Sequence, residues 1–451
     1  MSQPRDNIAS PPIGEVSQLA EHFFRHETGM LISVLTRIFG IDRLQLAEDV
    51  VQEALLRALQ TWPFYGIPKN PAAWITQTAK HLALDLIRRE KRFRGKQPEV
   101  AALIEQRSAT SAAEQAPQFE TELKDDSLRL MFACCHPLLP QEAQTALALK
   151  TLCGFNIAEI ARAFLTTEAA IAKRLTRAKE KIRELQIEFE IPCGEDLAPR
   201  LDGVLQTLYL LFNEGYKASS GDSLVRSELC HEAIRLGLLL AEHPATNQSR
   251  SQALLALMLL NAARLPARMD TDGNILRLKD QDRSCWNRAM IERGLLHLAK
   301  SATGDDLSEY HLQAAIAACH SAATDYQSTD WPRILAFYDQ LACLDGSPVV
   351  ALNRAVAVAN VHGARAGIAT IEAIQYPKQL DSYYLLYAVL AEFETQLKNF
   401  PAAARHLRKA LQLIDLKSEQ SFLSKKLLAC EAQESAVVHA NGNPGKEPSL
   451  L

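Results

Sequence analysis

The sequence predicts an all-α protein with two small helical domains, the second a helix-turn-helix, followed by a long domain of helical repeats. Only 6% of its 451 residues are aromatic, and glycine and proline number just 19 and 20. Long stretches are instead rich in Ala, Leu, Glu and Arg, which favours helix over strand. Apolar residues in these stretches recur at helical spacing. At about 150 residues per domain, the chain is long enough for roughly three domains.

Composition excludes several classes of protein. The balance of 47% hydrophobic and 23% charged residues excludes a mainly disordered chain. No segment has 18 uninterrupted apolar residues and the N-terminus lacks an apolar signal region, so we expect a cytoplasmic protein without a membrane segment. The nine cysteines are scattered without CxxC spacing, so we expect reduced thiols.

Changes in composition along the chain predict its domain boundaries. A stretch rich in Ala, Gln and Glu separates two helical blocks, and two prolines and a glycine in 191–200 indicate a further boundary. The expected organisation is a first domain at 14–94, a flexible linker at 95–123, a second domain at 124–189, a helical extension at 200–430 and a disordered tail at 431–451. Both small domains are slightly basic, and the part after residue 190 is acidic.

Residues 151–184 have the pattern of a helix-turn-helix. A short apolar helix around Ile160 precedes a turn at 165–167 and a second helix, which Thr167 can cap. An apolar stripe follows at i, i+4, i+7 and i+11 of the second helix: Ile171, Leu175, Ala178 and Ile182. Its other face carries six cations: Lys173, Arg174, Arg177, Lys179, Lys181 and Arg183. Such a face suits the phosphates that line a DNA major groove, and a solvated basic helix is the alternative.

An acidic stripe marks the amphipathic segment 46–62. We expect its small apolar residues to face inward: Ala47, Val50, Val51, Ala54 and Ala58. We expect its polar residues to face outward: Glu48, Asp49, Gln52 and Glu53. Taken alone, such a stripe is more often only a solvated helix face.

The segment 70–96 predicts a helix with a basic end. Pro71 is a good first residue of a helix. The expected buried face is Trp74, Ile75, Ala79, Leu82, Ala83 and Leu86, and the cations at the end are Arg88, Arg89, Lys91, Arg92, Arg94 and Lys96. With Phe64 and Tyr65 nearby, this segment offers cations for phosphates and rings for unstacked bases. Plain core packing of the rings is the alternative.

These segments resemble, in order and spacing, the extracytoplasmic-function sigma factors of bacterial RNA polymerase. The resemblance rests on AEDVVQEALLRAL (47–59), AAWITQTAKHLALDLIRR (72–89) and the helix-turn-helix, and it covers about residues 14–187. It implies a promoter-melting domain, a loose linker and a promoter-reading domain, with core RNA polymerase and promoter DNA as partners. A protein of this kind acts by binding, so we expect no enzyme activity and no cofactor.

The resemblance also implies roles for residues by position. The family docks its acidic helix on the largest polymerase subunit, which puts Glu48, Asp49, Gln52 and Glu53 in the core-binding role. It reads the minus-ten element with the next helix and captures a flipped base in the loop that corresponds to 64–70. Its second domain reads the minus-thirty-five element. The residues expected near DNA are Phe64, Tyr65, Trp74, Lys80, His81, Asp85, Arg88, Arg89, Arg92, Thr167, Lys173, Arg174, Arg177 and Lys181.

The long extension resembles a subgroup of this family with a tetratricopeptide-like C-terminal domain. Segments 349–374 and 383–414 each read as two helices joined by a turn, at an offset of roughly 34–38 residues. Generic helical hairpins are the alternative. The resemblance implies control through the fused domain, whose partner would be an unidentified protein or ligand. Two rival interpretations are a polymerase-independent helix-turn-helix regulator with a tetratricopeptide sensor, and a scaffold or signal-binding protein.

The motifs of hydrolases and metal sites are incomplete in this chain. Residues 221–224 spell GDSL without a downstream DxxH partner. His231 begins HEAIR instead of HExxH, and Gly273 comes too early for an EF-hand loop. We therefore expect no catalytic residue and no metal ligand.

Overall fold

The structure, a computed structural model, describes residues 28–39, 43–94, 125–184, 194–219, 225–271, 274–303, 306–344, 346–374, 380–414 and 417–441. The linker expected at 95–123 and the GDSL tetrapeptide lie outside the described residues. Within those ranges the chain forms eighteen α-helices, a few short 3₁₀ helices and one isolated β-bridge, with no strand. The all-α prediction is confirmed.

The chain divides into two compact units. The first comprises Met1–Leu211 with His243–Thr246, and the second comprises Phe212–Glu242 and Asn247–Leu451. Seven helices precede the boundary: α1 (Thr28–Phe39), α2 (Leu44–Tyr65), α3 (Pro71–Arg94), α4 (Asp126–Cys134), α5 (Gln141–Thr151), α6 (Ile157–Ala163) and α7 (Glu168–Glu184). A 3₁₀ helix (Gly194–Arg200) leads into α8 (Leu201–Tyr216), within which the boundary falls.

Helix α2 has the apolar face that the sequence predicts. The five residues expected inside are all buried: Ala47, Val50, Val51, Ala54 and Ala58. Gly66 ends the helix with φ of 83°, in the left-handed region that favours glycine. Just before it, Trp62 is buried and packs edge-on against Trp74 of α3, with ring centres 5.5 Å apart. This contact ties the end of α2 to the start of α3.

Helix α3 buries a slightly different face from the one expected. Ile75, Ala79 and Ala83 are buried as predicted, but Leu86 is 39% exposed and its neighbour Ile87 is 3% exposed. The buried positions follow one another in steps of four residues. Because an α-helix has 3.6 residues per turn, such a stripe drifts around the helix and leaves position 86 at its edge.

The helix-turn-helix forms as predicted, with clear local signals. A capping box starts α6, because Asn156 accepts the Glu159 backbone N–H and Glu159 accepts the Asn156 backbone N–H, both at 2.8 Å. Leu165 makes the turn with φ of 48°. Thr167 Oγ1 then caps α7 by accepting the Ala170 N–H at 3.3 Å. The predicted stripe of α7 is buried: Ile171, Leu175, Ala178 and Ile182.

The second unit consists of further helices joined by short turns. They are α9 (Ser227–Glu242), α10 (Ser249–Ala262), α11 (Arg288–Ser301), α12 (Glu309–Ala322), α13 (Trp331–Leu344), α14 (Pro348–His362), α15 (Ala364–Glu372), α16 (Tyr384–Gln396), α17 (Phe400–Gln412) and α18 (Lys417–Asn441). The two similar segments thus form the helix pairs α14–α15 and α16–α17. Gly367 permits close packing there, since a Cβ on it would lie 2.7 Å from the Phe393 ring.

The last helix extends further than expected. The sequence places the start of a disordered tail at 431, but α18 continues to Asn441. Residues 431–441 are rich in Ala and Glu, which sustain a helix. Residues 442–451 lie outside the described part of the chain. No described helix has both the length and the apolar character needed to cross a membrane.

Candidate functional site

Two aromatic rings stand exposed at the end of α2. Phe64 is 78% exposed and Tyr65 86% exposed, although both follow the buried Trp62. Large apolar side chains so open to water are available to a partner. Plain core packing, the alternative for these two rings, is wrong. Trp74 is half-buried against Trp62, so part of its ring packs in the core and part remains open to solvent.

A cavity of about 360 Å³ lies between α2 and α3. Helix α2 contributes Arg57, Gln60 and Thr61 to its wall, and α3 contributes Trp74, Thr78, His81, Leu82 and Asp85. The His81 ring is exposed, and its Nε2 lies 3.0 Å from the Gln77 amide nitrogen. The wall thus combines an indole ring with several polar side chains.

The basic end of α3 is exposed where it is described. Arg88 and Arg89 face solvent, and Arg88 lies 3.9 Å from Asp85. Lys80, eight residues before Arg88 and about two turns away, is half-buried. The side chain of Arg92 lies outside the described residues.

The cations of α7 do not all have the same environment. Lys173, Arg177 and Lys181 are exposed, and Lys181 donates to the Leu138 carbonyl oxygen at 2.5 Å. Arg174 instead pairs with Glu142 of α5 at 2.5 Å and lies over the Phe164 ring at 5.4 Å. Arg174 therefore stabilises the helix-turn-helix by linking α7 to α5 and to Phe164.

The acidic stripe of α2 is exposed except for one residue. Asp49, Gln52 and Glu53 face solvent; Asp49 accepts from Gln45 at 2.7 Å, and Glu53 pairs with Arg57 at 3.0 Å. The expectation that Glu48 faces outward was wrong, because this residue is only 7% exposed. Position 48 lies four residues after the buried Leu44 and seven before the buried Leu55, which places it on the apolar face.

Known families match three parts of the chain. Sigma-70 region 2 matches residues 23–93, and Sigma-70, region 4 matches residues 129–182. A family of unknown function, DUF6596, matches residues 200–302. No solved structure matches the chain.

Two relatives complete the comparison. An uncharacterized protein of Rhizobium meliloti, R00370, is 38% identical over 397 residues, which is 87% of this chain and 92% of that protein. This chain belongs to the same family as R00370. A protein of Xanthomonas campestris, described as probable RNA polymerase sigma factor RfaY, is 32% identical over 147 residues, or 32% of this chain and 35% of that protein. The two sigma-70 domains give the chain the make-up of a sigma factor, a DNA-binding transcription factor that works with RNA polymerase.

Region 2 and region 4 meet at Glu48. Its carboxylate accepts a hydrogen bond from Lys179 of α7 at 2.6 Å and another from Thr151 of α5 at 3.1 Å. Lys179 also donates to Gln45 at 2.8 Å. The thiol of Cys134 is buried close by, where burial and the negative charge of Glu48 raise its pKa. One acidic residue of region 2 is therefore engaged by the second helix of the helix-turn-helix.

Sequence reasoning missed some members of the site. Arg57, Gln60 and Thr61 line the cavity beside α3, yet only their spacing along one face of α2 could have indicated them. Lys179 was grouped with cations that face away from the core, although it binds Glu48. Its partner lies 131 residues away, so no local pattern indicates the pair.

Proposed function

We propose that this sigma factor is of the extracytoplasmic-function type, and that its fused, tetratricopeptide-like C-terminal domain controls it. The observation that carries the proposal is the exposure of Phe64 and Tyr65 at the end of α2, next to the start of α3, whose other end carries the exposed Arg88 and Arg89. A protein that holds unpaired DNA needs exposed rings on which bases stack and cations along the path of the backbone, and α2 and α3 together offer both.

Core polymerase binds through the acidic face of α2. Asp49, Gln52 and Glu53 are open to solvent and offer two carboxylates and an amide to a basic surface. Glu48 can join this face only if its contact with Lys179 opens, because its carboxylate is buried in the arrangement described.

Promoter melting takes place at the junction of α2 and α3. Phe64 and Tyr65 stack on unpaired bases, and each stacked base contributes about 1–3 kcal/mol. That gain offsets the few kcal/mol needed to unstack a base. The adjoining cavity, with Trp74 and His81 in its wall, holds a flipped base. Lys80, Arg88 and Arg89 contact the phosphates, a role that the resemblance also implies for Arg92.

The minus-thirty-five element is read by α7. Lys173, Arg177 and Lys181 contact phosphates or base edges, and Thr167 lies at the helix start that enters the groove. Arg174 supports this helix through Glu142 and Phe164.

Control by the C-terminal domain rests on its architecture. The helix pairs α14–α15 and α16–α17 repeat a helix–turn–helix unit, and stacked units of this kind form extended binding surfaces. We expect this domain to bind a protein or a ligand and to change the activity of regions 2 and 4.

A core pull-down followed by run-off transcription on genomic fragments tests the proposal. We expect the full chain to bind core polymerase and to start transcripts at defined promoters only when core enzyme is present. Tight binding of the free protein to duplex DNA, without core binding, would favour the polymerase-independent regulator. Truncation after Leu211, where the first unit ends, tests the control: higher transcription indicates an inhibitory C-terminal domain, and lost transcription a required one.

A further inference from the structure

A second cavity, of about 280 Å³, lies within the second unit. It is bounded by α16, α17 and α18 and by the 3₁₀ helix Leu278–Asp280. Its volume falls just below the ~300–1,000 Å³ typical of pockets for drug-sized ligands, so it suits a smaller molecule. One side of its wall is apolar, with Phe400 and Leu407, and the other side is cationic.

Three cations meet at one carboxylate on the cationic side. Glu392 accepts from Lys279 at 2.9 Å, from Arg277 at 3.2 Å and from Lys426. Arg277 also pairs with Asp280 at 2.5 Å. Three positive charges therefore share two negative ones, and the cluster keeps one excess positive charge.

The negative partner of these cations, Glu392, is ionised at neutral pH. Burial raises the pKa of Glu392, but Lys426 and Lys279 outweigh that effect and lower it to about 2. The carboxylate is thus ionised at neutral pH. Burial lowers the pKa of Lys426, and the charge of Glu392 opposes that effect. Glu392 is 25% exposed and the cations are 27–37% exposed, so an anion from solution can reach them.

The cations are also held in place before any ligand arrives. The Phe422 ring lies 5.2 Å from the Lys426 ammonium and 5.8 Å from the Arg277 guanidinium. Cation–π contacts of this kind restrict both side chains, which reduces the entropy lost when they bind an anion.

We propose that this cavity binds a small organic monoanion, a carboxylate with a short apolar body. The carboxylate binds Lys279 and Lys426 and neutralises the excess charge, while the apolar body lies against Phe400 and Leu407. The proposal names the class of ligand that the C-terminal domain binds. It rests on the proposed function only for the biological role of that ligand, which is to control the sigma factor. Binding is measured without polymerase or DNA, so its failure is distinguishable from failure of the sigma role.

Isothermal titration calorimetry of the full chain, with hexanoate and benzoate as probes, tests the proposal. We expect saturable binding of at least one probe at a 1:1 ratio, weakened by added salt. Hexan-1-ol keeps the apolar body without the charge, and inorganic phosphate keeps charge without the body. Each should bind at least tenfold more weakly than the better carboxylate. Absence of saturable binding by both carboxylates, or equal binding of phosphate, would overturn the proposal.

Four variants locate the binding site. Lys426→Gln should weaken binding about tenfold or more, because it removes a charged hydrogen bond. Ala429→Leu narrows the mouth at an exposed position and should abolish binding with every charge retained. Glu392→Gln removes the competing carboxylate and should tighten binding about tenfold. Arg408→Gln, on α17 but outside the cavity wall, is the matched control and should change nothing.

Circular dichroism establishes that each variant is folded before it is titrated. If Lys426→Gln is unstable, Ala429→Leu still decides the question, because it leaves the charged cluster intact. Wild-type affinity in Ala429→Leu, or unchanged affinity in Glu392→Gln, would overturn the proposal.

Discussion

Glu48 Oε2 and Lys179 Nζ lie 2.6 Å apart and join α2 of region 2 to α7 of region 4. The carboxylate also accepts a hydrogen bond from Thr151, and only 9% of its side chain is exposed. In this arrangement α2 and α7 contact each other through Glu48 and Lys179. Neither helix therefore exposes its whole surface to a partner.

Lys179→Met should lower the free energy of unfolding by about 1–3 kcal/mol, because Glu48 keeps its buried charge but loses its cation. The effect falls short of a fully buried pair since Lys179 is 25% exposed. Urea denaturation followed by circular dichroism measures it, and Lys173→Met on the exposed face of α7 is the control. A double-mutant cycle with Glu48→Gln should give a coupling of about 0.5–3 kcal/mol. If the losses of stability of the two single variants simply add in the double variant, Glu48 and Lys179 do not interact, and the ion pair is refuted.

Asp49→Arg should weaken binding of core polymerase about tenfold or more, because it reverses the charge on the exposed acidic face of α2. Surface plasmon resonance with immobilised core enzyme measures the affinity. Glu292→Arg makes the same charge change at an exposed position of α11 and should leave the affinity unchanged. Normal holoenzyme formation by Asp49→Arg would refute the docking role.

Phe64→Ala and Tyr65→Ala should each reduce the open promoter complex about tenfold, since each loses roughly 1–3 kcal/mol of base stacking. Their thermal stability should match the wild type because both rings are exposed. Permanganate footprinting of unpaired thymines measures the opening. Leu56→Ala, 54% exposed on the same helix, is the control. Full opening by the double Ala variant would exclude the two rings from strand capture.

Lys173→Ala and Arg177→Ala should each lower the salt dependence of holoenzyme–promoter binding, by about 0.9 in the slope of log K against log salt. Both side chains are exposed on α7. Arg174→Ala should chiefly lower stability, because Arg174 pairs with Glu142 and lies over Phe164. Promoter binding measured at several salt concentrations separates the two effects. A slope unchanged in both Lys173→Ala and Arg177→Ala would exclude these two residues from phosphate contacts.

The stability of the second unit should fall as the pH is lowered from about 6.5 towards 3. Burial, together with the nearby Arg264 and Arg283, lowers the pKa of His320 to about 3. Its ring stays neutral in the fold and packs edge-on against Trp331, whereas the unfolded chain takes up a proton near pH 6.5. His320→Gln should flatten this part of the pH profile, measured by urea denaturation from pH 4 to 8. An unaltered profile would show that His320 does not cause the loss.

Much of the first unit could be predicted because its signals are local. The buried face of α2, the stripe of α7 and the Thr167 cap depend on residues within a few turns of one another. The errors have a common cause in tertiary packing. Glu48 and Leu86 lie at the borders of buried stripes, where the neighbouring helix decides whether a position is covered.

The sequence by itself determined the helices, the helix-turn-helix, and the resemblance to sigma factors that the two sigma-70 matches support. Only the tertiary structure decided that Glu48 pairs with Lys179, that Arg174 stabilises the helix-turn-helix, and that three cations bind Glu392. These relationships join distant residues, 131 positions apart for Glu48 and Lys179 and 115 for Arg277 and Glu392. Helix periodicity and capping act over a few residues, whereas such contacts exist only once packing has brought separate helices together.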